Sequence, residues 1–480
     1  MTRNVFLALA CALIVIGITI ARPERTPGPL QRDFEAYWSA GATFNAGKSP
    51  YGRAIWDAER TVPGVDPTHD EMLPFISPPS TLLIWSALAR LPFDPATRVW
   101  YGVLLCALVG LIVASLRGSG EPVTFFSFCA TLALAVGFGP VTSNLALGQI
   151  AITAFLGATV ATTARSWPVK TLASFVALFQ PNVALGLVSQ LGRNITTLAI
   201  LAAAACGYLC GALLVGLAWP IRYVSFVWSH AAGERYGAIQ YTPAAVAYGL
   251  HWPPPLPELT SVLLACAAAL AAIVAWRRLE NGFARFAAFS ALTPFVATFF
   301  HDHDFVVAFP AAVWCALRTR GTDRTIGLAG ALLVSIDWFG LAQRTNAIPQ
   351  SAFLVAGAAA AFLALGEEFD LRRTAHAAVP VAVLFVTGAW LGSGHPAPVW
   401  PYTLGSFHAP ASASIATIWF LEQRQSGLEA AIPSWALLKS LSLLGCALLF
   451  IAVTATARAI YPRSPQNTSA NATIPVGAAE

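Results

Sequence analysis

Asp33 and Tyr37 stand four residues apart just beyond the first apolar run of the chain, in a stretch that reads Arg32, Asp33, Phe34, Glu35, Ala36, Tyr37, Trp38. On a helix this spacing puts a carboxylate and a phenol on one face. A carboxylate held where a bilayer meets a protein cavity is poised to take a proton from a substrate hydroxyl, which makes Asp33 the candidate general base. Two plainer roles stay open: capping of the helix that follows, or pairing with Arg32 or another surface cation. The aromatic residues around it suggest an interfacial helix, and Glu35, on another face, is expected in solvent. The second group with chemical capacity is His301, Asp302, His303 and Asp304, lying between two apolar runs. An acid in hydrocarbon costs roughly 2.5 to 3.5 kcal/mol on insertion scales, so these residues point to a wet cavity or a partner, with simple loop exposure as the plain alternative. The histidines suit a phosphate and the carboxylates a divalent cation. Catalytic zinc does not fit, because no His-x-x-x-His pair and no third ligand accompany them.

Amides interrupt the apolar runs at Asn144, at Gly148 with Gln149, and at Gln180, Pro181, Asn182. Buried amides need partners, and helix-to-helix hydrogen bonding explains them without a function. Farther on, Arg222, His230, Arg235 and His251 mingle with Trp228, Tyr236, Tyr241, Tyr248 and Trp252. Such a mixture suits a phosphorylated lipid or sugar, and equally an aromatic belt at a membrane surface. Asp337 reads as a snorkelling or paired residue near the end of its span.

These residues must be positioned by membrane helices. The 480 residues are 56% hydrophobic and only 11% charged, against roughly 25% charged in soluble domains. A soluble enzyme is excluded, and a net charge of +5 over this length leaves no dense basic face for nucleic acid. The eight cysteines all fall in apolar runs without a Cys-x-x-Cys pair, so no disulfide framework or zinc site follows. Apolar runs at 4–21, 79–91, 99–116, 123–141, 145–163, 171–191, 195–219, 256–276, 283–300, 305–317, 326–341, 352–365, 377–390 and 436–457 give about fourteen spans. The first reads as an uncleaved span in preference to a signal peptide. A cytoplasmic start places Arg193, Arg277, Arg278, Arg285, Arg318, Arg320, Arg324, Arg372, Arg373, Arg458 and Arg463 inside, with Arg117, Arg165 and Lys170 outside; a re-entrant pair among the third to sixth spans is an option. Residues 1–463 thus form one all-α polytopic domain. Its first outer loop, 22–78, is expected to be an ordered, membrane-apposed cap, and 464–480 a disordered cytoplasmic tail in which the Asn467 and Asn471 sequons are chance matches.

The constellation resembles glycosyltransferase family 87, a membrane group of the GT-C class that contains polyprenyl-phosphate-mannose-dependent mannosyltransferases. The resemblance rests on Asp33 with Tyr37 and Ala40, Gly47 to Pro50 with Tyr51, Phe75 with Pro78 and Pro79, Gly148 with Gln149, and Gln180 with Pro181; the cluster from His301 to Asp304 extends it. It covers residues 30–310, and the order of the motifs is its specific part. Two positions depart, Gln180 where the family often has Lys and Ser77 where it often has an aromatic. The resemblance implies a GT-C-like bundle of about 12 to 14 membrane helices in a multi-pass protein of the bacterial inner membrane, serving the cell envelope with its active site facing outward. It implies an inverting transfer of a sugar, mannose as the family's best-known one, from a polyprenyl-phosphate donor to a glycan or glycolipid hydroxyl. Asp33 would be the essential acid, and one of His301 and His303 would lie near the donor phosphate. Asp302, Tyr37, Gln149, Gln180 and Arg235 complete the expected donor or substrate contacts. No cofactor is required, though a divalent cation remains an option. Membrane lipids are the other partner, and nucleic acid is not one. The competing readings are a lipid-linked oligosaccharide polymerase or ligase, which would not depend on an acid directly after the first helix, and a flippase or transporter, which would be expected to show two related halves.

Overall fold

The computed structural model describes residues 2–20, 31–66, 68–192, 194–338, 341, 347–367, 369–394, 404–429 and 431–460. Among these, every regular element is an α- or 3-10 helix and none is a strand. The expectations for Arg193, Arg463 and the segment 464–480, with Asn467 and Asn471, lie outside the described residues.

Seven helices are long and apolar enough to cross a membrane: Thr2–Ile20, Phe93–Gly118, Ile195–Val215, Leu256–Arg278, Ala347–Leu365, Leu371–Leu391 and Pro433–Ala457. The pair Phe125–Val136 and Gly139–Leu147, bent by 73° at its break, is either an eighth, broken span or a re-entrant loop. The other apolar runs of the sequence become shorter pieces, and proline gives the reason at several of them. Pro140 opens the second half of the bent pair, and Pro181 separates Trp167–Ala177 from the 3-10 helix Val183–Gln190. A ring without an N–H cannot continue the preceding helix. Residues 79–91 form only the 3-10 turn Pro79–Thr81 and the short helix Leu82–Leu88, whose Leu82 and Trp85 are fully covered by protein while Leu83 on the other side is 52% exposed. An apolar run therefore marks either a span or an interior element, and hydropathy alone does not separate them.

The breaks at Gly148, Pro181 and His301 lie toward one end of the bundle, and Arg3, Arg117, Arg318 and Arg324 lie toward the other. Helix Phe93–Gly118 connects the two ends: its 26 residues rise about 39 Å at 1.5 Å per residue. At its start, Phe93 packs 5.7 Å from Phe34. Beyond its end, the Ser119 carbonyl accepts from Arg318 Nε at 2.6 Å. Arg3 donates to the Ala364 carbonyl at 3.0 Å, and Arg324 to that of Phe362 at 3.4 Å, which joins them to the same basic end. Arg117 belongs there too, which corrects the sequence expectation: counting every apolar run as a crossing placed it on the opposite side from Arg318.

At the other end, the helix Phe34–Asn45 packs on Leu82–Leu88 so closely that a Cβ on Gly41 would stand 2.1 Å from the Trp85 carbonyl oxygen. The Tyr37 ring stacks on Trp85 at 4.6 Å with 7° between planes. The helix is buried on several faces, so it is not an interfacial helix lying on the membrane. Glu35 differs likewise from its expectation: it is 1% exposed and pairs with Arg32 at 3.4 Å. Burial, only partly offset by Arg32, pushes its carboxyl up to about 8. A late loop completes this cap. The Asp70 backbone N–H donates to the Phe407 carbonyl at 2.9 Å, Arg53 Nη1 donates to that of Pro410 at 2.8 Å, and the helix Ile415–Gln425 lies against Trp219–Glu234.

Candidate active site

A cavity of about 880 Å³ opens beneath this cap, lined among others by Asp33, Tyr37, Gln149, Gln180, Glu234 and His301. Its walls come from segments remote in sequence, and each is fixed by a local feature. Asp33 occupies the N-cap position of Phe34–Asn45, but its side chain makes no capping bond. Its backbone N–H donates instead to the Leu147 carbonyl at 2.9 Å, and its Oδ2 accepts a hydrogen bond from Gln149 Nε2. Gln149 Oε1 in turn accepts from the Tyr37 hydroxyl at 2.6 Å. One amide thus holds the carboxylate with one end and the phenol with the other.

Gly148 makes that placement possible. It ends the helix Gly139–Leu147 in the left-handed region, φ +74°, where glycine carries no steric penalty. A Cβ there would lie 2.8 Å from the Cβ of Gln31. Its carbonyl accepts from Trp100 Nε1 at 2.7 Å, which ties the turn to the helix connecting the two ends.

The histidine segment forms the 3-10 helix Asp302–Ala308 with His301 at its N-cap. It is not an exposed loop: His303 is 5% and Asp304 0% exposed. Asp304 accepts from Gln180 Nε2 at 2.7 Å, from Asn182 Nδ2 at 3.1 Å and from the His301 backbone N–H at 3.0 Å. The break at Pro181 therefore serves to turn two amides onto one buried carboxylate. Asn144 does the same for the backbone, donating to the His303 carbonyl at 2.6 Å. Both amide sites are helix-to-helix anchors, as their position in apolar runs implies, and Gln180 also lines the cavity.

His301 Nε2 lies 2.6 Å from Glu234 Oε1, while Glu234 Oε2 is 3.0 Å from both His230 Nε2 and Trp419 Nε1. None of the ionisable groups of this region lies in a helix long enough to span the membrane. Burial disfavours the His301 cation, but the Glu234 carboxylate outweighs it and raises the imidazole above its usual value. The same contact holds Glu234 below the usual carboxylate range in spite of its burial. His303, pushed well below the ordinary histidine value by burial and by His301, is the neutral member. Burial raises Asp33, with Gln149, His301 and Arg32 opposing it, and pushes Asp304 up to about 6. The wall therefore offers a carboxylate able to accept a proton and an imidazole whose cationic form is favoured by Glu234.

Of the residues singled out in the sequence, Asp33, Tyr37, Gln149, Gln180, His301, Asp302 and His303 all line this one cavity. Arg235 does not. It is turned outward, 42% exposed and 3.7 Å from Glu258, because one residue past Glu234 on a helix points to another face. Glu234 itself was missed, although His230 and Glu234 have the spacing of a helix-face pair. Asp337 lines the cavity as well. His301, His303 and Asp304 offer ligand atoms within 4.8 Å of one another, the only such trio among the described residues. His301 Nε2 and both Asp304 oxygens are already engaged by protein groups, so a cation would have to break those bonds to bind.

The family described as Glycosyltransferase family 87 matches residues 75–300. No curated protein and no solved structure matches the chain. The matched segment carries Gly148, Gln149, Gln180 and Glu234; Asp33 precedes it and His301 follows its last residue.

Proposed function

From the match of residues 75–300 to glycosyltransferase family 87, we propose that this chain is a membrane glycosyltransferase that moves a sugar from a polyprenyl-phosphate donor to a hydroxyl of a glycan or glycolipid, with inversion and with Asp33 as general base. The observation that carries this reading is the sharing of one cavity by the Asp33 carboxylate and His301. Asp33 takes the acceptor hydroxyl proton while that oxygen bonds to the anomeric carbon; the bond from that carbon to the phosphate oxygen breaks, and its electron pair leaves with polyprenyl phosphate. This leaving group is a weak base, so it needs a positive charge more than a proton. His301 supplies that charge and contacts the donor phosphate in preference to His303. Gln149 and Tyr37 keep the base in place, and Gln180 acts through Asp304. Mannose is the proposed sugar on the family resemblance alone. The step needs no metal, a reading supported by the engagement of His301 and Asp304 with protein partners.

The cavity lies at the end of the bundle opposite Arg3, Arg318 and Arg324, and the basic end of a membrane protein faces the cytoplasm. The reaction therefore belongs on the extracytoplasmic side; a bacterial inner membrane is proposed on the family resemblance alone. Purified protein in nanodiscs, given polyprenyl-phosphate mannose and a glycolipid acceptor, tests the reading. Wild type should consume donor, and Asp33→Asn should lower kcat about 10²- to 10⁴-fold, the range of a lost general base. Normal turnover by that variant removes Asp33 from the mechanism. Lipid movement across liposomes without donor consumption points to a transporter.

A further inference from the structure

The Glu234 carboxylate joins three elements of the cavity wall and has no part in the transfer step proposed above. It is 1% exposed and closes the helix Trp219–Glu234. Its two oxygens meet three donors on three elements: His230 one turn earlier on its own helix, His301 beside the 3-10 helix Asp302–Ala308, and Trp419 on the helix Ile415–Gln425. A carboxylate oxygen at 2.6 Å from an imidazole nitrogen favours a proton on that nitrogen and a charge-assisted bond, in competition with the Gln240 amide nitrogen 3.0 Å from the same atom. His230, 3% exposed and also on the cavity wall, meets the other oxygen through its Nε2.

We infer that Glu234 is a positioning residue for sugar transfer: its carboxylate anchors His301 and His230 to one wall of the cavity and is the counter-charge with which His301 stands there as a cation toward the donor phosphate. The inference rests on the donor reading given above. Its geometric support is that the backbone around the pair is held independently. The Ala238 N–H donates to the Leu428 carbonyl at 2.6 Å, Lys439 Nζ donates to the carbonyls of Ala238 and Gln240 at 3.1 and 2.8 Å, and Gln240 Oε1 accepts from the Phe300 N–H at 2.9 Å. With the turn braced on both sides of His301, the Glu234 carboxylate is left as the source of charge at Nε2, where the Gln240 amide nitrogen is the other, uncharged neighbour. The other ionisable groups that act on His301 are Asp304, Asp33 and His303, and none of them touches its Nε2 in the way Glu234 does.

Because the bracing lies in the backbone, Glu234→Gln should insert and fold. In nanodiscs with polyprenyl-phosphate mannose as donor, it should lower kcat/KM for the donor at least about tenfold while leaving the acceptor KM within about twofold, since the lost interaction meets only the leaving phosphate. Trp419→Phe removes another bond to the same carboxylate without touching the charge, and should lower kcat/KM for the donor by clearly less than Glu234→Gln does. Equal defects in the two variants would assign Glu234 a merely structural role and overturn the inference. The second readout needs no donor: in protein with 15N-labelled histidine rings, the signal lost in His301→Gln should report both nitrogens protonated at neutral pH in wild type, but not in Glu234→Gln. An unchanged ring signal in Glu234→Gln refutes the inference. A wild-type protein idle with this donor refutes the donor reading, and the ring signal still decides the charge at His301.

Discussion

Asp33 and His301 have opposite requirements for a proton, and their surroundings shift both upward. Asp33 must be ionised to act as base; burial raises it above its ordinary 3.8, with the Gln149 bond opposing. His301 must be protonated to meet phosphate, and Glu234 lifts it above 6.5 against the pull of burial. The proposed reaction should therefore show a bell-shaped dependence of kcat/KM on pH. Its acid limb, where Asp33 takes up a proton, lies above the ordinary carboxylate range. Its alkaline limb, where His301 loses one, lies above that of a free imidazole. Gln149→Leu removes a bond that favours the ionised carboxylate, so it should move the acid limb upward and leave the alkaline limb in place; an acid limb that stays put would detach Gln149 from Asp33. Much of this was legible at the level of residue types, because an acid after the first apolar run and a cluster of four ionisable residues between two others have few inexpensive explanations in a membrane protein. Glu234 was not legible. Its significance comes from His301, 67 positions away, and a single sequence carries no trace of that pairing.

Helices and turns set these side chains at distances that no local pattern announces. Gly148 shows what a short motif can and cannot tell. A glycine before a glutamine in an apolar run signals a possible helix end, and the structure supplies the reason: a left-handed residue, with no room for a Cβ beside Gln31 and Phe34, that directs Gln149 toward Asp33. Gly148→Ala should cost about 1 to 2 kcal/mol for a non-glycine residue in that conformation. It should also shift Gln149 away from both its partners. The expected outcome is a chain that still inserts, with lowered thermal stability and at least about a tenfold loss of turnover, since small misplacements of a positioning group are costly. Wild-type turnover in a stably inserted Gly148→Ala would show that the turn does not set the base. The number of spans was less legible than the motifs. Apolar runs at 79–91, 145–163, 171–191 and 305–317 have the composition of spans, but they fold as short or broken helices around the cavity, the second as Ala151–Thr163 and the last as Asp302–Ala308 followed by Phe309–Arg318. An interior element of a membrane protein is as apolar as one that faces lipid, so hydropathy reports burial from water and not the path of the chain.

Across the whole molecule, polarity runs from an arginine-rich end to a cavity-bearing end, and this polarity decides where a lipid-linked sugar can be used. Helix Phe93–Gly118 measures the separation, with Phe34 against its first turn and Arg318 bonded just past its last. Alternation over fourteen spans put Arg117 on the same side as the first loop; with 79–91 no longer counted as a crossing, Arg117 joins Arg318 at the basic end. The cap and the arginine cluster offer two exposed positions for testing orientation, Lys48 at 57% and Arg320 at 72% side-chain exposure. In a full-length chain whose eight cysteines are replaced by alanine or serine, Lys48→Cys should react in intact cells with a membrane-impermeant maleimide. Arg320→Cys should react only after the membrane is opened. These cysteines make no disulfides among the described residues, so their removal costs packing at most, and retained turnover verifies the background. The reverse labelling pattern would put the cavity on the cytoplasmic face, where the donor would have to be one made and consumed on that side. Labelling of both positions in intact cells would place Asp33's cap and the arginine cluster on one side, and the long axis from Phe93 to Gly118 could not then be the membrane normal.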